Sequence, residues 1–134
     1  MAVNEHRYKF AVRDTESSPG IPDRGWVDMD VRWLITKDTV GASKTVFGVT
    51  FFPAGAKHDI HRHPNAEEVC MVVAGRARHE VAGNVFEMGA GDVCFIPRGE
   101  PHSLACLGEQ ELEIVWVWGG ASSMEAAGFV PAPL

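Results

Sequence analysis

The sequence predicts an all-β domain, a sandwich or a barrel, and three observations carry that expectation. Short segments rich in β-branched and aromatic residues recur along most of the 134 residues. Breakers bearing glycine and proline separate them at close, regular spacing, and no stretch reads as a long helix. A chain of this length forms one domain and can bury a sizeable core without staples.

Taken in order, residues 1 to 24, ending near "ESSPGIPDRG", read as a loosely attached arm. Residues 25 to 120 form the domain, with candidate strands "WVDMDVRWLIT", "KTVFGVTFF", "KHDIHRH", "EEVCMVVAG", "RARHEVAG", "VFEMGAG", "DVCFIP", "HSLAC" and "ELEIVWVWGG". Between them lie "DTVGAS", "FPAGA", "HPNA", "AGN", "PRGEP" and "LGEQ", whose composition punctuates rather than propagates structure. "EVAGNVFEM" reads as a tight hairpin in which Gly83 and Asn84 take the positive φ of the turn. Residues 121 to 134 form a tail with one helical turn before its prolines end it.

Composition narrows the function classes. Hydrophobic residues make up 46% and charged residues 22% of the chain, the proportions of an ordinary globular protein. A formal charge of -6 argues against nucleic acid or anionic membrane surfaces as partners, since both need a basic face. The first residues contain no apolar leader and the longest apolar runs are too short to span a bilayer, so a cytoplasmic location is expected. The three cysteines, Cys70, Cys94 and Cys106, lack a CxxC spacing and read as small buried hydrophobes in a reducing compartment.

The chemistry concentrates in "HDIHRHPNAEEV", residues 58 to 69, which holds three of the six histidines. Alternate residues of a strand share a face, so His61 and His63 project to one side with Arg62 opposite. "PNA" then turns the chain, and Glu68 brings a carboxylate beside the two imidazoles. His102 follows after the sharp bend of "IPRGEP". Three imidazoles and a carboxylate converging in this way would hold one divalent metal ion, with iron(II), manganese(II), nickel(II), cobalt(II) and zinc(II) all suited to nitrogen and oxygen donors.

These residues resemble the small cupins. Their first motif, G-x5-H-x-H-x4-E-x6-G, is matched at every interval by Gly55, His61, His63, Glu68 and Gly75. Their second, G-x5-P-x-G-x2-H-x3-N, is matched by Gly91, Pro97, Gly99 and His102, with Cys106 standing where the family has asparagine. The resemblance implies a jelly-roll β-barrel of two packed antiparallel sheets with the metal bound inside it. It carries over His61, His63, Glu68 and His102 as ligands. Glu67 lies within the family's variation, but Glu68 keeps the interval to Gly75 and is preferred. The asparagine is not a ligand in the family, so Cys106 leaves the ligand set untouched.

Other residues take their expected places from strand parity. His58 would point away from His61 and His63 in a regular strand, and His79 could take either face. Cys70 and Val72 share the face of Glu68 and would line the interior. The aromatic residues Trp33, Phe47, Phe51, Phe95, Trp116 and Trp118 suggest an interior suited to an apolar or aromatic ligand. The substrate pocket is therefore expected to draw on Cys70, Phe51, Phe95, Cys106 and Trp116.

Four protein donors on a six-coordinate ion leave two positions open, one for a substrate and one for a second small molecule. On that ground the favoured expectation is a non-heme iron(II) dioxygenase acting on a small aromatic or keto compound. Zinc would more readily close into a tetrahedron with these groups. The alternatives are a lyase or isomerase using the metal as a Lewis acid, and a non-catalytic module binding a sugar or similar small molecule. A homodimer is expected, with the N-terminal arm extending the neighbouring chain's sheet.

Overall fold

The structure, a computed structural model, describes residues 8 to 131. The outer parts of the expected arm and tail, residues 1 to 7 and 132 to 134, lie outside the described residues. The strands are β1 (Ser17–Ser18), β2 (Trp26–Val27), β3 (Asp30–Ile35), β4 (Thr45–Phe52), β5 (Lys57–Arg62), β6 (Glu67–Ala74), β7 (Arg76–Val81), β8 (Asn84–Gly89), β9 (Val93–Ile96), β10 (His102–Leu107), β11 (Leu112–Gly119) and β12 (Val130–Pro131). Two single-turn α-helices, α1 (Lys37–Val40) and α2 (Met124–Ala127), and two 3-10 turns, Val12–Asp14 and Pro22–Arg24, complete the order of the described residues.

The strands form two antiparallel sheets. One runs β1-β3-β4-β11-β6-β9 and the other β12-β5-β10-β7-β8, with β2 also pairing to β5. This is the expected all-β jelly roll, with one difference: the sheets remain separate ladders facing each other and are not closed into a cylinder. Their inner faces meet in a core whose fully buried members include Val31, Val46, Val72 and Leu112. Burial of each such side chain is worth roughly 1.5–3 kcal/mol. Among the described residues, no helix is long and apolar enough to cross a membrane.

Local departures from the sequence reading have physical causes. The single expected strand over residues 26 to 36 is split, because Asp28 takes a positive φ of 57° and sends Trp26 to one sheet and Val31 to the other. The hairpin after β7 forms as expected, but its left-handed pair is Ala82 and Gly83, not Gly83 and Asn84. Asn84 instead pairs with Val81 as the first residue of β8. Just before "DTVGAS", Thr36 accepts from the amides of Asp38 and Thr39 in a capping box, and so nucleates α1 across the start of an apparent breaker. The inner part of the arm is held against its own chain: Ser17 and Ser18 pair with Arg32 and Val31, and Arg32 donates to the Thr15 carbonyl at 2.7 Å.

One glycine of the motif has a clear structural reason. Gly75 joins β6 to β7, where the chain leaves one sheet for the other, with a φ of 84°. A Cβ there would sit 2.6 Å from the Glu111 carbonyl oxygen, so a side chain is excluded by backbone and by conformation together.

Candidate metal centre

The two sheets enclose a cavity of about 40 Å³. From the β5–β10–β7 side it is lined by His58, His61, His79, His102 and Leu104, with His63 just beyond β5. The facing sheet contributes Thr50, Phe52, Glu68, Cys70, Ile114, Trp116 and Trp118, while Trp26 and Met29 close one side.

His61, His63 and His102 converge: one ring nitrogen of each lies within 4.8 Å of the other two, and all three residues are buried. β5 and β10 set this geometry, because His61 and His102 face each other directly across the ladder. Each ring is fixed from behind. His61 Nδ1 bonds the Asp59 carbonyl at 2.8 Å, His63 Nδ1 the Gly128 carbonyl at 2.7 Å, and His102 Nδ1 the Glu100 carbonyl at 3.0 Å. A carbonyl only accepts, so each bond places the proton on Nδ1 and leaves the Nε2 lone pair facing the cavity. This is the donor arrangement that metal-binding histidines need.

Glu68 approaches from β6. Its Oε1 lies 3.6 Å from His102 Nε2 and 3.9 Å from His63 Nε2, and it accepts a hydrogen bond from Trp118 Nε1 at 2.9 Å. The carboxylate thus reaches two of the three imidazoles and stands beside the tight triad. Glu67 points outward and is exposed, as strand alternation requires.

Burial governs the electrostatics. It holds His61 well below the ordinary histidine range, reinforced by repulsion from His58, and it lowers His102 to about 4. His63 is lowered by burial too, with Glu68 pulling the other way. The Glu68 carboxyl is raised by burial, partly offset by His63 and Trp118. Four buried groups that resist holding their own charges, gathered at one point, would be relieved by a cation that binds neutral imidazoles and a carboxylate. The residues present fit a divalent metal.

Of the expected pocket residues, the structure brings Cys70 and Trp116 to the cavity wall. Trp116 donates to Thr50 Oγ1 at 2.8 Å and meets Trp33 edge-on at 5.2 Å. Phe95 is turned to the outer face of its sheet and is 54% exposed. Phe51 lies on the outer side beside Phe10, Arg32 and Glu113. Cys106 packs in the core but does not line the cavity, and its Sγ points to the Gln110 carbonyl at 3.3 Å.

Three cavity residues escaped the sequence reading. His58 faces inward, its ring centroid 4.6 Å from that of His61, contrary to the parity expectation. The ladder shows why: His61 pairs with His102 and His58 with Leu104, so β5 spends three residues against two on β10. This bulge inverts the alternation. His79 is fully buried against the same cavity. Trp26 also lines it, 6.1 Å from His61 between ring centroids, and its Nε1 is a buried donor without a partner among the described residues.

Residues 48–118 match the family described as "Cupin domain". Polyketide synthase CurC of Streptomyces cyaneus is 32% identical over 87 residues, 65% of this chain and 56% of that protein. The chain therefore spans little more than half the length of that relative. The oxalate-binding protein of Thermotoga maritima is 27% identical over 90 residues, 67% of this chain and 74% of the relative. Among solved structures, the polyketide cyclase RemF of Streptomyces resistomycificus superposes with a TM-score of 0.75 at 22% identity, covering 94% of this chain and 85% of that one. A Thermotoga maritima protein described as a predicted oxalate decarboxylase gives 0.72 at 23% identity, with 83% and 97% covered. At these identities the structural likeness speaks to the fold.

Proposed function

The chain belongs to the cupin domain family, and from that premise we propose that it is a metal-dependent lyase or isomerase acting on a small, oxygen-chelating keto or dicarboxylic acid. The observation that carries this reading is the convergence of the His61, His63 and His102 ring nitrogens at a cavity between the sheets, with a fourth imidazole, His58, beside them. His61, His63, His102 and Glu68 would hold the ion, which supplies Lewis acidity toward a substrate carbonyl or carboxylate. His58 is not one of the converging triad. It is the group placed to move a proton to and from carbon next to that carbonyl. Trp26 Nε1–H offers the cavity's spare donor to a substrate oxygen.

The size of the cavity supports a small substrate. About 40 Å³ accommodates a few water-sized groups. That suits a small acid with a C–H beside its carbonyl, such as a three-carbon keto or dicarboxylic acid. The iron(II) dioxygenase reading uses the same ligands and rests on the two positions that four donors leave open on a six-coordinate ion.

The test is turnover of small keto and dicarboxylic acids by protein loaded in turn with iron(II), manganese(II), nickel(II), cobalt(II) and zinc(II), with and without oxygen. Solvent deuterium should enter the substrate carbon beside the carbonyl under several metals and without oxygen. Activity confined to iron(II) and abolished by removing oxygen replaces this reading with the dioxygenase. Binding without exchange or turnover, seen as a metal-dependent rise in melting temperature, leaves a binding module.

A further inference from the structure

The cavity region carries a second donor set that the histidine triad does not use. Cys70 of β6 and Cys94 of β9 stand directly opposite each other in the antiparallel ladder. His79 of β7 reaches them from the facing sheet. One ligand atom from each of Cys70, His79 and Cys94 lies within 4.8 Å of the other two, and all three residues are buried. We propose that Cys70, Cys94 and His79 form a second metal site, for a thiophilic d10 ion, zinc(II) or copper(I), separate from the histidine–carboxylate centre.

Donor chemistry comes first. Two sulfurs and one imidazole prefer soft or borderline ions, whereas the triad with Glu68 offers only nitrogen and oxygen. Span comes next. Tetrahedral zinc with Zn–S near 2.3 Å holds its donors about 3.8 Å apart, so a set already within 4.8 Å has to close by only about 1 Å. Rigidity favours the site as well: both cysteines sit on paired strands, not on loops. His79 Nδ1 lies 3.2 Å from Met88 Sδ, and with the proton on that nitrogen, Nε2 is left for the metal.

Charge balance completes the case. Binding a divalent ion converts both thiols to thiolates and releases two protons to solvent, giving a neutral cluster in a buried place. Copper(I) needs only one thiol to ionise for neutrality. Cys70 and His79 line the cavity that the triad also lines, while Cys94 is not among its lining residues.

The experiment uses reduced protein and cobalt(II) as an optical probe, because thiolate ligation adds a sulfur-to-cobalt charge-transfer absorption that histidine and carboxylate cannot produce. The expected result is that absorption in the wild-type chain and in His61→Ala/His102→Ala. That variant should also retain about one equivalent of zinc(II) or copper(I) through desalting. Cys70→Ser/Cys94→Ser should lose the charge-transfer band while keeping cobalt at the histidine site, and His79→Gln should weaken it at least tenfold. Absence of the band from the folded wild-type protein overturns the proposal. Persistence in Cys70→Ser/Cys94→Ser also overturns it, since the remaining thiol is Cys106.

Discussion

The two walls of the cavity divide its chemistry unequally. The sheet built on β5, β10 and β7 supplies His58, His61, His79 and His102, with His63 immediately after β5. The facing sheet supplies one carboxylate, one thiol and two indoles, and the indoles are occupied with their neighbours: Trp118 holds Glu68 and Trp116 holds Thr50. The first wall presents most of the imidazole lone pairs, and the indoles of the second fix the shape of the space they face. At the histidine–carboxylate centre, substitutions of His61, His63 or His102 should therefore remove metal binding outright, whereas those of the indoles should grade it.

The sharpest way to break this division is His61→Ala/His63→Ala, which deletes two donors from the first wall. Metal content should fall from about one ion at this site to none under elemental analysis with thiol-binding ions excluded, while the fold persists. Full occupancy in that variant would sink the assignment.

Acid should act next, and again through the first wall. His102 titrates near 4 in the folded chain, below the usual histidine value of 6.5. The unfolded state therefore takes up its proton first, so stability is intact above about pH 6.5 and is lost as pH falls from there to about 4. A shift of this size corresponds to something on the order of 3 kcal/mol for His102 alone. The melting temperature of metal-free protein should fall steeply across that window, and a flat profile would contradict the buried, neutral imidazole.

The second wall yields smaller effects. Trp118→Phe removes the donor that orients Glu68 and should weaken metal affinity about 10- to 100-fold without abolishing binding. A titration with no change would mean that Glu68 needs no orienting partner. Gly48→Ala tests the shape of the wall: a Cβ there would come within 2.3 Å of the Trp116 ring, which is already packed against Trp33 and Trp118. Overpacking of this kind costs about 1–3 kcal/mol, readable as a lower denaturation midpoint. Smallest is Trp26→Phe, which keeps the ring and removes the spare donor. Loss of one neutral hydrogen bond, about 0.5–1.5 kcal/mol, should raise KM several-fold and leave kcat nearly unchanged.

Much of the first wall was legible because its signal is local. Spacing within fifteen residues placed His61, His63 and Glu68 together, and the turn before His102 placed the last imidazole. What parity could not reveal was the bulge in β5, since nothing in "KHDIHRH" marks an extra residue until its partner strand is known. His58 was misplaced for that reason. Phe51 and Phe95 were assigned inward on aromatic character, yet each falls on the outward phase of its strand, in register with Glu113 and Val69. Aromaticity says how much a side chain gains from burial, and only the phase of the strand says which face it is on. The strands themselves were legible from β-branched runs between breakers, while β1 and β12 were not, being two-residue pairings that exist only through distant partners.

The C-terminal segment has a consequence for the order in which the site comes into being. Gly128 supplies the carbonyl that fixes His63, Phe129 stacks on His61 at 4.7 Å, Asn65 bonds to Ala126 and Ala127, and β12 pairs with His61 and Arg62. A ribosome makes every one of the four proposed ligands before it makes any of these contacts. A nascent chain that ends before residue 124 has its imidazoles in sequence but the His63 ring free to rotate, with neither nitrogen committed to the cavity. Loading of a metal ion at full affinity would thus be a late event in the life of the polypeptide, timed by the emergence of the segment from Met124 to Pro131 rather than by synthesis of the histidines.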